Sequence, residues 1–98
     1  MTTLSFSKSA FSDLERFADF LLEHDPERAA STIEVILNAV EVLRRHPYIG
    51  GPIAPGLREL VISHGRTGYL ALYEFDRRRD AVLVHKLRHQ LEAGYSAE

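Results

Sequence analysis

The chain contains no cysteine. That excludes a disulfide framework, a thiolate metal site and a cysteine nucleophile, and it suits a reducing compartment. No apolar run approaches the about 18 residues that a membrane-spanning helix requires. The start, Met1-Thr2-Thr3-Leu4-Ser5-Phe6, lacks the basic residues and apolar stretch of a signal peptide. These absences predict a soluble cytoplasmic protein with no membrane partner. A strong overall charge is missing too. The formal net charge is −2 over 98 residues, so no general basic character advertises nucleic acid. The length predicts a single domain, 1–98, with one modest core.

What is present is unevenly distributed. Up to Gly56 there are five basic and eight acidic residues, a net −3. From Leu57 onward seven basic residues face six acidic ones, a net +1, with His64, His85 and His89 in addition. The second half therefore permits a local basic surface. Hydrophobic residues make up 45% and charged residues 27%, a globular balance that argues against disorder.

Periodicity orders the chain. Leu4-Ser5-Phe6-Ser7 alternates as a short half-buried strand does. Ser12 and Glu15 have capping-box spacing, with Ser9 as another possible N-cap. A helix then runs to about His24, with Phe11, Leu14, Phe17, Ala18, Leu21 and Leu22 on one side. Asp25-Pro26-Glu27 ends it and starts another, since proline suits the first helical turn and an acid suits the positive helix end. The second helix reaches about Arg45, with Ala30, Ile33, Ile36, Leu37, Val40 and Leu43 as its stripe, and Pro47 stops it. A joint this short makes an α-hairpin. Val35 and Val42 fall opposite the stripe. A helix apolar on two sides needs a second partner, supplied by crowded packing, a bound segment or a second copy.

Tyr48 to Gly56 (YIGGPIAPG) reads as an ordered turn region. Three strands follow: Leu57 to Ser63, Tyr69 to Phe75 and Ala81 to Leu87. His64 to Gly68 and Asp76 to Asp80 are the turns between them. The predicted class is α+β, in the order β-α-α-β-β-β. The α-hairpin packs on one face of a small, mainly antiparallel twisted sheet.

That order, at this length, resembles the RelE/ParE superfamily of toxins from bacterial type II toxin–antitoxin pairs. Three segments carry the likeness: Gly56-Leu57-Arg58-Glu59-Leu60 after the turn region, the tyrosine-rich Gly68-Tyr69-Leu70-Ala71-Leu72-Tyr73-Glu74-Phe75, and Val84-His85-Lys86-Leu87-Arg88-His89 running on to Tyr95. The resemblance implies a cytoplasmic toxin of the plasmid-stabilisation kind, with a cognate antitoxin as partner, possible oligomers with it, and no cofactor. RelE-like members cut messenger RNA on the ribosome. ParE-like members bind DNA gyrase and trap it on broken DNA.

The residues bear on that choice. Cleavage through the 2′-hydroxyl needs proton transfer and cations around the phosphate. RelE-like proteins use lysines ahead of the central strand, an arginine within it, and a C-terminal arginine and tyrosine. Arg88 and Tyr95 match the last pair, spaced one residue further apart than in the family. Between Pro47 and Thr67 there is no lysine, and Leu70 stands where the strand arginine would. The resemblance therefore favours a ParE-like gyrase inhibitor. The alternatives are a RelE-like nuclease, with Arg58, Arg66, Arg88, His89 and Tyr95 as its working set, and a toxin-fold protein that only binds.

Each candidate has a plain reading as well. Arg58 binds phosphate or partner, or is a solvated charge facing Glu59 or Glu74. Arg66 sits exposed in a glycine-flanked turn. Arg77, Arg78 and Arg79 form a charge run of the kind that usually just solubilises a turn. His85 and His89 lie at a strand end, where about 3.3 Å per residue keeps them from sharing a metal, and none is expected. His89 beside Arg88 is the better acid–base candidate. Tyr95 is catalytic or packs on the sheet, and Tyr69 and Tyr73 share a strand face as core or rim rather than as base-stacking platforms. Val35, Val42, Arg58, Arg66 and Arg88 are the expected antitoxin or partner contacts.

Overall fold

The computed structural model describes residues 1–64, 67–92, 94 and 95. Strand β1 (Thr3–Phe6) leads into α1 (Lys8–His24) and α2 (Pro26–Glu41), which ends in a 3-10 turn (Val42–Arg44). Four strands follow: β2 (Gly51–Ala54), β3 (Leu57–His64), β4 (Thr67–Asp76) and β5 (Ala81–His89). They form one sheet in the order β1-β5-β4-β3-β2. All neighbours are antiparallel except β1 and β5, which pair in parallel. The α+β class, the hairpin and the expected order hold, with β2 added on the edge. Three glycines and two prolines across Tyr48 to Gly56 conceal that strand in the sequence. Proline is tolerated there because an edge strand need not donate every N–H.

The helix start differs from the expected Ser9 or Ser12. Ser7 caps α1: its hydroxyl accepts from the Ala10 amide at 3.0 Å and donates to the His85 carbonyl at 2.6 Å. One side chain thus ends β1, opens α1 and ties both to β5. The buried face of α1 is Ala10, Asp13 and Phe17, with Leu14 against the core, while Phe11 and Leu22 are exposed. The reason is Asp13. Beyond Val84 no β1 residue pairs with β5, and Asp13 Oδ2 accepts from the Leu87 amide at 2.9 Å. A buried backbone N–H needs an acceptor, so a carboxylate takes a place that apolar periodicity assigns to a hydrophobe.

On α2, Ala29, Thr32, Ile36 and Val40 are buried and Leu43 follows them. Ala30 and Leu37, expected in the stripe, are exposed. Val35 packs against the core, so the outer face expected of it belongs to Val42, which is 41% exposed.

Tyr69, Ala71 and Tyr73 of β4 are buried beneath the helices together with Val82, Val84 and Leu87 of β5. A register shift falls between Leu72, which faces Lys86, and Tyr73, which faces Val84. His85 is the extra residue, and the alternation of β5 changes phase across it. The Tyr73 hydroxyl donates to the Pro47 carbonyl at 2.7 Å and accepts from the Gly50 amide at 2.9 Å. This clasp fixes the segment between α2 and β2. Gly50 is required there, because a Cβ would lie 2.6 Å from the Tyr73 ring.

Candidate functional site

Beyond β5 the chain turns at Gln90–Glu92, and Tyr95 comes back over the sheet face opposite the helices. Its hydroxyl donates to Glu59 Oε2 at 2.7 Å. Register places Arg88 beside Leu70, and Leu70 beside Val61, two residues from Glu59 on β3. Tyr95 therefore spans from β5 across β4 to β3. The Arg88 guanidinium lies over the Tyr95 ring at 5.2 Å from its centroid, and its Nη1 donates to the Glu92 carbonyl at 2.9 Å. Arg88 Nε is buried and has no hydrogen-bond partner among the described residues.

Carboxylates set the electrostatics. Burial and the Glu59 acceptor raise the Tyr95 pKa, with Arg88 opposing. The phenol stays protonated and acts as a donor. Burial alone would raise the Glu92 pKa, but the His89 amide (3.1 Å) and Arg16 (3.1 Å) outweigh it and hold it below the usual glutamate range. Arg16 also reaches Asp13 at 3.4 Å. The turn is thus anchored to α1 through Glu92, Arg16 and Asp13, and to the end of β5 through Glu92 and Arg88.

The predicted set is divided by this geometry. Arg88 and Tyr95 come together. His89 is adjacent in sequence, but its ring packs edge-on against buried Tyr69 at 5.1 Å, and its Nδ1 accepts from the Leu91 amide at 3.1 Å. Alternation along β3 sends Arg58 to the face opposite Glu59. There it donates to the carbonyls of Tyr48 (3.1 Å) and Gly50 (2.7 Å) and stacks over the Tyr48 ring. Arg58 clamps the segment that Tyr73 holds from within. Arg66 lies outside the described residues. His85 pairs with Glu74 at 3.2 Å. Sequence reasoning missed Glu59, Glu92, Arg16 and Asp13. The one signal available was Asp13, an acid embedded among the apolar positions of α1.

A family model described as the ParE toxin of the type II toxin–antitoxin system, parDE, matches residues 4–94. Toxin RelE3 of Caulobacter vibrioides is 33% identical over 92 residues, which cover 94% of this chain and 98% of that protein. A structure of the chromosomal ParDE system from P. aeruginosa superposes with a TM-score of 0.74 at 20% identity, covering 91% of this chain and 96% of the other. The RelBE2 toxin–antitoxin complex of Mycobacterium tuberculosis gives 0.59 at 23% identity, with 93% of each chain covered. At those identities the two structures show a shared fold. Among the described residues no helix is long and apolar enough to cross a membrane. Sequence match, relative and fold agree: the chain belongs to the ParE toxin family of type II toxin–antitoxin systems, within the RelE/ParE superfamily.

Proposed function

We propose that this toxin acts in the ParE-like way, in the cytoplasm, by binding DNA gyrase and trapping it on cleaved DNA without chemistry of its own. The observation that carries the reading is the bond from the Tyr95 hydroxyl to Glu59, 2.7 Å long. A nuclease of the RelE kind would present Arg88 and Tyr95 to a phosphate. Here the phenol is tied to a carboxylate, a second acid lies at the turn beside Arg88, and Arg58 is spent on two backbone carbonyls. An incoming phosphate would meet like charge. The RelE-like alternative draws support from the approach of Arg88 to Tyr95 and from the name of the Caulobacter relative.

One expression experiment separates the readings. Cells induced for the toxin should show DNA breaks and an SOS response while messages stay intact. Codon-phased message cuts without DNA damage would overturn the gyrase reading in favour of the nuclease. Normal growth with soluble folded protein would point to a binding protein that has lost toxicity. Within the ParE-like reading, Arg88→Ala should relieve toxicity while the chain still folds and binds its antitoxin.

The cognate antitoxin completes the proposal. Leu37 on α2 and Val42 at the 3-10 turn that follows it are exposed, and β2 is an open sheet edge. An antitoxin segment that is disordered when free can lay a helix along the α-hairpin and add a strand to an edge. Contact with Arg66 or Arg88 would draw it by its acidic residues. Hydrogen exchange with and without the antitoxin should show new protection along 35–42 and at a sheet edge. A stable complex with neither would remove this mode of neutralisation.

A further inference from the structure

Most cations of this chain are tied down. Arg16 meets Asp13 and Glu92, Arg28 meets Asp25, Arg44 meets Glu41, and Arg79 meets Asp76. Arg58 and Arg88 are bound to carbonyls, and Lys86 to Ser9. Apart from Lys8 at the start of α1, Arg45, Arg77 and Arg78 are different: each is exposed, and none has an acidic partner among the described residues. They come from two segments more than thirty residues apart, yet share one end of the molecule. Arg45 and His46 line the same recess as Met1, Thr2 and Asp80, and Asp80 closes the hairpin tip that carries Arg77 and Arg78.

The acids at this end are already committed. Asp76 accepts from the Arg78 and Arg79 amides at 3.0 and 3.3 Å and pairs with the Arg79 side chain. Asp80, held at φ 50°, accepts from the Thr2 hydroxyl at 2.7 Å and faces the terminal amine. Its carbonyl accepts from the Thr3 amide at 2.9 Å. Glu41 is paired with Arg44. The tip is therefore fixed to β1 while two guanidinium groups project from it, which lowers the ordering cost of a contact.

The net charge of −2 does not cancel this end. Glu23, Asp25 and Glu27 cluster at the joint of the α-hairpin. The 16 residues of α2 separate that joint from the 3-10 turn by about 24 Å, more than two Debye lengths of about 10 Å each at 0.1 M salt. A polyanion touching Arg45, Arg77 and Arg78 is screened from the acidic end.

We propose that this end is a contact surface for the phosphodiester backbone of duplex DNA, gripped by Arg45, Arg77 and Arg78. All three are arginines, whose planar fork suits phosphate oxygens; Arg77 and Arg78 project from a tip held to β1, and Arg45 lies at the rim of the recess beside it. The choice of DNA among polyanions rests on the gyrase reading, since a toxin that traps gyrase works beside the duplex. The surface lies at the opposite end of β4 from the Arg88 and Tyr95 side and is distinct from it.

The test is fluorescence anisotropy of a labelled duplex of about 20 base pairs with the purified toxin, free of antitoxin, from low to physiological salt. Three phosphate contacts predict a slope of log K against log salt of about −2.7, at about −0.9 per contact. Arg45→Ala, Arg77→Ala and Arg78→Ala should each make the slope shallower by about one contact. Lys8→Ala, which removes the same charge from an exposed site outside the cluster, should leave it unchanged. Absence of duplex binding at low salt overturns the proposal, as does an equal effect of Lys8→Ala. Tighter, arginine-dependent binding of a polyglutamate peptide or of duplex RNA also overturns it. A gyrase assay keeps the two readings apart. Gyrase inhibition with no DNA contact sinks only this surface, and DNA contact with no gyrase inhibition sinks only the target.

Discussion

At the Gln90–Tyr95 end of the sheet, Arg16 and Arg88 are engaged by Asp13, Glu92 and the Tyr95 ring, whereas at the Asp76–Ala81 hairpin Arg77 and Arg78 project without a partner among the described residues. Both ends are rich in arginine, and composition does not distinguish them. The difference lies in what the nearby acids do. At the first end, the Asp13 and Glu92 carboxylates pair with Arg16 while the Glu92 carbonyl and the Tyr95 ring hold Arg88, and so a fixed turn is built. At the second, Asp76 and Asp80 bind backbone amides, a hydroxyl and the amino terminus, which builds the turn and leaves charge outside. A charge that serves the fold has fewer hydrogen bonds left for a partner, so the bonded state of each arginine bears on function as well as its presence.

The comparison breaks most sharply at Asp13. Asp13→Ala deprives the buried Leu87 amide of its acceptor and Arg16 of a partner, and should cost about 3 kcal/mol in chemical denaturation, since orphaned buried donors are expensive. Asp13→Asn keeps an acceptor and should cost markedly less. A change below about 0.5 kcal/mol in the alanine variant would mean that the engaged end is not held from α1. Next in size is Tyr73→Phe. It leaves the Pro47 carbonyl and Gly50 amide unpaired, at a cost of about 2 kcal/mol, measured by thermal or urea unfolding.

Glu92 sharpens the comparison through pH. Its pKa is lowered in the fold, so its contribution is complete above the unfolded glutamate value and is lost as pH falls through the folded one. Stability should therefore drop on acidification from about pH 4.5 downward, and Glu92→Gln should flatten that drop. The whole effect stays below about 1 kcal/mol because Arg16 is half-exposed. An unchanged acid limb in Glu92→Gln would remove the clamp from the account. Smallest of all, Val42→Asp should alter monomer stability by under about 0.5 kcal/mol while weakening the antitoxin complex. Val35→Asp, against the core, should destabilise the monomer instead. Calorimetry of the two variants, alone and with antitoxin, would expose an inverted assignment.

Much of the fold was legible because it follows from periodicity and punctuation. Asp25-Pro26 separates two helical patterns, and Asp76 to Asp80 separates two apolar runs, so the hairpin and the β4–β5 pair could be read directly. The site was harder, since it depends on registers that sequence does not display. Glu59 has no local signature; only the return of Tyr95 across β4 makes it part of the site. Arg58 and Glu59 are neighbours in sequence but belong to opposite faces, and nothing before the strand is placed says which one meets Tyr95. The burial of Asp13 and the capping by Ser7 both follow from β5 passing beside α1, a contact between residues 74 or more apart in sequence.

The parallel pairing of β1 with β5 has a consequence for synthesis. Leu4 and Phe6 lie in register with Val82 and Val84, so the first strand made finds its partner in the last. Ser7 likewise needs the carbonyl of His85. A nascent chain that has not yet exposed β5 can form the α-hairpin but cannot close the sheet over it. Contacts this distant in sequence also slow closure. The sheet is therefore closed only once β5 has left the ribosome.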